Sequence, residues 1–357
     1  ITIAGNLTAT GTVAAVMNAG ITVNGNVDLG ASTSFDPKAY THTFKCNYTH
    51  NGSTVSDATN TSTIVMNGTS AQAISGTGLW FYHLTANNSA GVTANSSFTI
   101  AGNFTNTAGF SAGATTTTFG GTAAQSITGA TTFYGLVFNN AAGFTLNNDI
   151  TASNALTLTS GVIATGTNTL IFSPTTSCSV TRTSGYVNGK LRKNFTASVT
   201  TCDFEIGDST NYTPVTAALT SVTAGSVTAS TTGTDHPQIS ASGIDSTASV
   251  NRYWTLVPAG GLAFTNANLT FTYIGGAPVD NDNTADAASY IAQRYDAASA
   301  TWYGTNKTSS SSTSMVCYGP TTFGTTSYSD FAIGKPAASA DTSGREREFI
   351  FSRELYY

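Results

Sequence analysis

Residues 62–113 read STIVMNGTSAQAISGTGLWFYHLTANNSAGVTANSSFTIAGNFTNTAGFSAG, and residues 115–166 read TTTTFGGTAAQSITGATTFYGLVFNNAAGFTLNNDITASNALTLTSGVIATG. The second stretch is a copy of the first, with a single one-residue gap near Trp80. Gln72/Gln125, Ile74/Ile127, Gly76/Gly129, Asn88/Asn140, Gly91/Gly143, Asn95/Asn147 and Gly109/Gly161 coincide. A period of roughly 50 residues marks an array of like units stacked on one another. Within each copy the apolar residues alternate. Phe98, Ile100 and Phe104 are expected to point inward, and Thr99 and Thr105 outward. No segment carries a helical period. Gly and Asn separate short strands, as tight corners require.

The same phrase reaches back to the first residue. ITIAGNL at Ile1, ITVNGNV at Ile21 and FTIAGNF at Phe98 share one pattern, and the step from Ile1 to Ile21 is the length of one coil. Residues 1–173 therefore read as a parallel β-solenoid, or β-helix, in which Asn at equivalent turns can stack. Residues 35–61, with Pro37, His42, Cys46 and His50, break the pattern and are expected to form a loop or irregular coil. The chain opens inside a repeat, so it reads as a mature product or a fragment.

Near Pro174 the composition changes. Arg and Glu first occur beyond that point, and the segments VNGKLRKNF, CDFEIG, VNRYWTLV, ANLTFTYI and SDFAIG alternate without repeating. Residues 177–335 read as an antiparallel β-sandwich. The fold class is thus all-β, a solenoid followed by a sandwich. Residues 336–357 are a tail or linker, rich in Arg and Glu, whose role the residues leave open.

Charged residues make up 9% of the chain, against about 25% in ordinary soluble domains. Thr, Ser, Asn, Ala and Gly take their place, the palette of an extracellular β-rich protein. A net charge of −5 lacks the basic footprint of a nucleic-acid binder. No run of apolar residues is long enough to span a membrane as a helix. Cys46, Cys178, Cys202 and Cys317 form no CxxC. Cys178 and Cys202 are close enough to pair in an oxidising compartment, and buried free thiols are the alternative.

Candidate sites are few. Asp280, Asp282 and Asp286 place carboxylates at alternating positions of one loop, a spacing that can wrap calcium. The EF-hand Gly and terminal Glu are missing, and a solvated turn competes. Trp80-Phe81-Tyr82 offers rings for a sugar, although the copy keeps Phe133-Tyr134 as a core would also demand. Trp254 and Trp302 read as core. Gly109-Phe-Ser111-Ala-Gly113 matches a hydrolase motif that works only on a strand-to-helix turn, and Ile163 replaces Ser111 in the copy. His42, His50, His83 and His236 are scattered. Asn6, Asn67, Asn103 and Asn194 head Asn-x-Ser/Thr triplets, common by chance in such a chain. Sugar hydrolysis needs paired carboxylates, and residues 1–173 carry only Asp28, Asp36, Asp57 and Asp149.

With AQSITGATTFYGLVFNN, ALTLTSGVIATGTNTL, VNGKLRKNF, FEIGDSTNYTPV, VNRYWTL, RYDAASATW and SDFAIG on the page, residues 62–335 resemble the large secreted surface proteins of Bacteroidota and Ignavibacteria-type bacteria. The resemblance implies export to the cell surface, commonly by the type IX route, and roles in adhesion or extracellular structure. It supplies no catalytic residues. Asp208-Ser-Thr and Asp245-Ser-Thr resemble the O-glycosylation sequence of Bacteroidota. The expected function is a non-enzymatic adhesin-like or fibre-forming element. A polysaccharide-binding module is the alternative, and a β-helix polysaccharide-degrading enzyme ranks third. Expected partners are a second copy of the chain, joined head to tail into filaments through the strand ITIAGNL and the arm EFIFSRELYY, or a polysaccharide or other cell-surface ligand.

Overall fold

The structure, a computed structural model, describes residues 1–54, 61–174, 176–275, 284–318 and 329–338. Its first part is a parallel solenoid with three walls. One wall begins at Thr2–Ile3 and continues through Thr22–Val23, Thr41–Phe44, Thr63–Met66, His83–Ala86, Phe104–Asn106 and Gln125–Thr128. A second carries Leu7–Ala9, Val27–Leu29, Tyr48–His50, Gln72–Gly76, Val92–Ala94 and Phe110–Ser111. A third carries Ala14–Val16, Ser34–Asp36 and Ser53–Thr54, then Leu79–Phe81, Phe98–Ile100 and Thr116–Phe119.

Alternation decides which side chains enter. On the first wall Ile64, Leu84, Phe104, Ile127 and Leu146 stack inside, all buried. The outward row is Thr22, Thr43, Val65, Thr85, Thr105 and Thr128, all half-buried. At one corner asparagines form a ladder. Asn26 N–H donates to Asn6 Oδ1 at 2.9 Å, Asn47 N–H to Asn26 Oδ1 at 3.1 Å, and Ala73 N–H to Asn47 Oδ1 at 2.9 Å. Each coil thereby satisfies a turn amide of the next.

Residues 35–54 are not the irregular loop that their composition suggests. Thr41–Phe44 and Tyr48–His50 are in register with the coils on both sides. The pattern escaped notice because His42 and His50, each fully buried, take inward places that aliphatic residues hold elsewhere. Phe35 fills the space between them, with ring centroids 6.3 and 6.1 Å away.

The duplicated unit does not stack on itself. Residues 62–113 contain eight strands, from Thr63–Met66 to Phe110–Ser111. Eight strands on three walls make two turns plus two further walls, so the second copy starts on a different wall. Ile74 pairs with Tyr48 and Ala94 on the second wall. Its counterpart Ile127 pairs with Phe104 and Leu146 on the first. Long strands such as Thr131–Asn139 and Ile150–Ser160 bend across corners and serve two walls each.

Parallel pairing runs past residue 173, to Val187 opposite Ile206. The strand Tyr186–Phe195 carries the transition. One edge is parallel to Val162–Phe172, and the other is antiparallel to Gly225–Thr232. From there the wall continues antiparallel through Ile244–Ala259, Ser329–Pro336, Ile291–Asp296 and Thr301–Gly304. A five-stranded antiparallel sheet accompanies it, made of Thr201–Phe204, Val215–Thr220, Asn266–Thr272, Ser314–Tyr318 and Asn306–Ser310. Trp254 and Phe331 from the first sheet meet Phe271 from the second, with centroid distances of 4.9 Å for Trp254–Phe271 and 5.2 Å for Phe271–Phe331. The arrangement is sandwich-like.

Candidate functional site

Two of the polar pairs that mark the repeat, Gln72/Gln125 and Asn88/Asn140, turn inward. Gln72 Oε1 accepts Gly68 N–H at 2.8 Å and Asn88 Nδ2 at 2.9 Å, and its Nε2 donates to the carbonyls of Phe44 and Cys46. Gln125 does the same with Gly121, Asn140, Ile100 and Gly102. Both glutamines and both asparagines are buried. Their identity in the two copies reflects corner construction. Sequence reading marked these residues but not the bond between them, since the partners lie 16 and 15 residues apart.

Of the three rings at 80–82, Phe81 is core, while Trp80 and Tyr82 are half-exposed on the outside, 6.3 Å apart. Tyr82 lies over Gly102, where a Cβ would come within 2.8 Å of Tyr82 Cδ1. His83 stands beside it, and its Nδ1 accepts Asn103 N–H at 2.8 Å, so Nε2 carries the ring proton. In the second copy Phe133 is core and Tyr134 is 40% exposed. Because the copy is rotated, Tyr134 and Tyr82 stand at different corners, and the repeat does not generate a row of rings.

The other solenoid candidates are accounted for by packing. Phe110–Ser111 is a strand between Gly109 and Gly113, both at positive φ, and not a strand-to-helix turn. Asn6 Oδ1 and Asn103 Oδ1 each accept a backbone N–H from a neighbouring coil, of Asn26 and Ser126. His42 Nε2 bonds to the Pro37 carbonyl at 2.8 Å, and burial lowers its pKa. No group of three or more His, Cys, Asp or Glu among the described residues could hold a metal ion. Of the expected calcium set, Asp280 and Asp282 lie outside the described residues, as does the arm at 345–357, and of Asp286 only the backbone, in the short helix Thr284–Ser289, is described.

In the sandwich the structure assembles a group that sequence could not, because His236 and Asp330 are 94 residues apart. His236 Nε2 lies 3.1 Å from Asp330 Oδ2, and Thr255 donates to Asp330 Oδ1 at 2.6 Å. Tyr253, Tyr295 and Trp302 surround the imidazole, with centroids 5.0, 4.8 and 4.9 Å away. Burial raises the Asp330 pKa, offset in part by Thr255 and His236. Gln238 N–H donates to Nδ1 at 3.1 Å, so both ring nitrogens are engaged. The imidazole thus fastens the segment 233–243 to the sheet, aided by Trp302 Nε1 donating to the Gln238 carbonyl at 2.9 Å. It has no free nitrogen with which to move a substrate proton.

Both Asp-Ser-Thr triplets bond within themselves, the first in a bend at 208–210 and the second inside the strand Ile244–Ala259. Asp208 Oδ1 accepts the N–H and hydroxyl of Thr210, and Asp245 Oδ1 those of Thr247. Asp208 Oδ2 also holds the guanidinium of Arg252, which is 1% exposed, at 2.5 Å. Cys178 and Cys202 are disulfide-bonded. Cys46 and Cys317 are free, the latter buried and its thiol pushed up to about 11, chiefly by burial.

Comparison of the chain with family models, curated proteins and solved structures gave no match. No helix among the described residues is long and apolar enough to cross a membrane.

Proposed function

We propose that the chain is a non-enzymatic extracellular element of a bacterial surface, adhesin-like or fibre-forming, with the solenoid as a stiff spacer and the sandwich as a joining module. One observation carries this reading. The residues that the two copies share are spent on internal hydrogen bonds and core, while the outward row is almost wholly uncharged Thr. The first wall stacks eleven strands from Thr2–Ile3 to Ile206–Gly207. At about 4.8 Å per strand that is a rod of roughly 48 Å. Electron microscopy of the purified chain tests the reading. Rods of that length, single or joined end to end, are expected, and compact particles would refute the spacer.

A second reading rests on Trp80. No core requirement explains an outward indole beside Tyr82, and such a pair can stack on a neutral sugar. Affinity electrophoresis in gels containing xylan or hydroxyethylcellulose decides it. Retardation that is lost in Trp80→Ala favours binding, and equal mobility with and without polysaccharide removes it.

A further inference from the structure

The outer face of the first sandwich sheet carries a cage of aromatic rings. Inward places on its strands go to Trp254, Ala292 and Phe331, all buried. Alternation therefore turns Tyr253 and Thr255, Gln293 and Tyr295, and Asp330 and Ala332 outward. Trp302 joins them from the edge strand, opposite Tyr295. Tyr253, Tyr295 and Trp302 are half-buried, so the cage reaches the surface. Asp330, 5% exposed, stands on the central strand between Thr255 and Tyr295.

The occupant of the cage is the chain's own imidazole. His236 arrives on the segment 233–243, which holds one short helical turn, Ile239–Ala241, and no strand. Its anchors to the sheet include Gly243 N–H on Gln293 Oε1 at 2.9 Å, the Ser249 hydroxyl on Asp235 Oδ1 at 2.8 Å, and Ile239 in a small cluster with Ile244 and Ala332, apart from the main core. The segment can lift without opening a ladder.

Charge inside the cage is not balanced. Gln238 N–H donates to Nδ1, so the ring carries one proton, on Nε2, and is neutral. Both oxygens of Asp330 accept, Oδ2 from that ring proton and Oδ1 from the Thr255 hydroxyl. A carboxylate thus sits among three rings with no Lys or Arg beside it among the described residues. Ring faces and a carboxylate together attract an organic cation. A neutral imidazole fills the space and leaves the buried charge unpaired.

We propose that Tyr253, Tyr295, Trp302 and Asp330 form a binding site for a quaternary ammonium group, and that His236 is a built-in plug which the cation displaces. The site belongs to the sandwich and does not depend on the solenoid's being a spacer.

Calorimetric titration of the full chain with choline chloride, against sodium chloride of equal ionic strength, tests this. The wild type is expected to bind, with faster hydrogen exchange confined to residues 233–243 as the plug leaves. His236→Ala is expected to bind about tenfold more tightly, because plugged chains no longer dilute the competent state. Asp330→Asn is expected to abolish binding in either background, and the uncharged carbon analogue of choline to give no heat. Phosphatidylcholine vesicles separate the sources: retention on them assigns the cation to a lipid headgroup, and a response to free choline alone assigns it to a solute. A wild-type chain that shows neither heat nor altered exchange with choline overturns the proposal. So does His236→Ala binding no more tightly than wild type, or equal binding of the uncharged analogue. The wild-type measurements decide whether or not the variants fold.

Discussion

Asn88 Nδ2 donates to Gln72 Oε1 at 2.9 Å inside one corner of the solenoid, and Asn140 repeats the bond to Gln125 at 3.0 Å inside another. The two corners belong to different walls, yet every partner is reproduced. Ser70 and Ala123 carbonyls accept the second amide proton, and Ala90 and Ala142 N–H groups donate to the asparagine Oδ1. The amide pair travels with the sequence and not with the wall.

Gln72→Leu is therefore expected to destabilise the array well beyond an ordinary surface change. It strands the Gly68 N–H, one proton of the Asn88 amide and the carbonyl of Cys46, at about 1–3 kcal/mol for each buried group left unpaired. Gln125→Leu is expected to cost a similar amount. Chemical denaturation of both variants checks this, and wild-type midpoints would show the pair to be dispensable.

Leu156 is buried and Thr157, its neighbour, is half-buried on the outside. Leu156→Asp places an unpaired charge in a dry interior and is expected to unfold the coils around it. Thr157→Asp is expected to stay within about 0.5 kcal/mol of wild type. Thermal melts of the two variants compare them directly, and equal tolerance would reverse the inside-outside assignment.

Burial works to raise the Asp208 pKa. Bonds from Arg252, from the N–H groups of Thr210 and Asn211 and from the Thr210 hydroxyl override it and hold the carboxyl at about 2. A carboxyl depressed below its unfolded value of about 3.9 stabilises the fold above that pH. The contribution is lost as pH falls from about 4 to about 2. Asp208→Asn is expected to flatten stability across that interval. At neutral pH it should be destabilising, because the buried Arg252 loses the carboxylate charge that Asp208 sets against its guanidinium. A melt series from pH 2 to pH 7 reads both effects.

Reduction of Cys178–Cys202 frees a loop of sequence separation 24. The chain-entropy relation gives a loss of about 3.5 kcal/mol. The effect should centre on the junction, where hydrogen exchange of residues 186–206 is expected to accelerate while coils before residue 110 keep their protection. Uniform acceleration along the chain would show that the disulfide does not act locally.

Much of the architecture is visible in the residues. Alternation at Phe98, Ile100 and Phe104 reports an inside and an outside, because a strand shows its two faces in turn. The coil at 35–54 hides because inward His42 and His50 carry no hydrophobic signal. Lys193 with Glu205, an ion pair at 2.7 Å, and His236 with Asp330 hide for a different reason. Each pair is joined across strands by the fold, and nothing in local spacing announces it. The rotation of the second copy is hidden as well, since a matching period says that units recur but not how many strands fill one turn.

That rotation has a mechanical consequence. A unit of eight strands on three walls advances about 13 Å and makes two and two-thirds revolutions, so its pattern is offset by two walls from one unit to the next. Three such units would bring the pattern back to its starting wall after eight whole revolutions. Any stiff or weak feature of the unit is then dealt to each side of the rod in succession, as the thread of a screw is. A longer array built this way would have no preferred plane of bending. It would resist a sideways load from every direction alike.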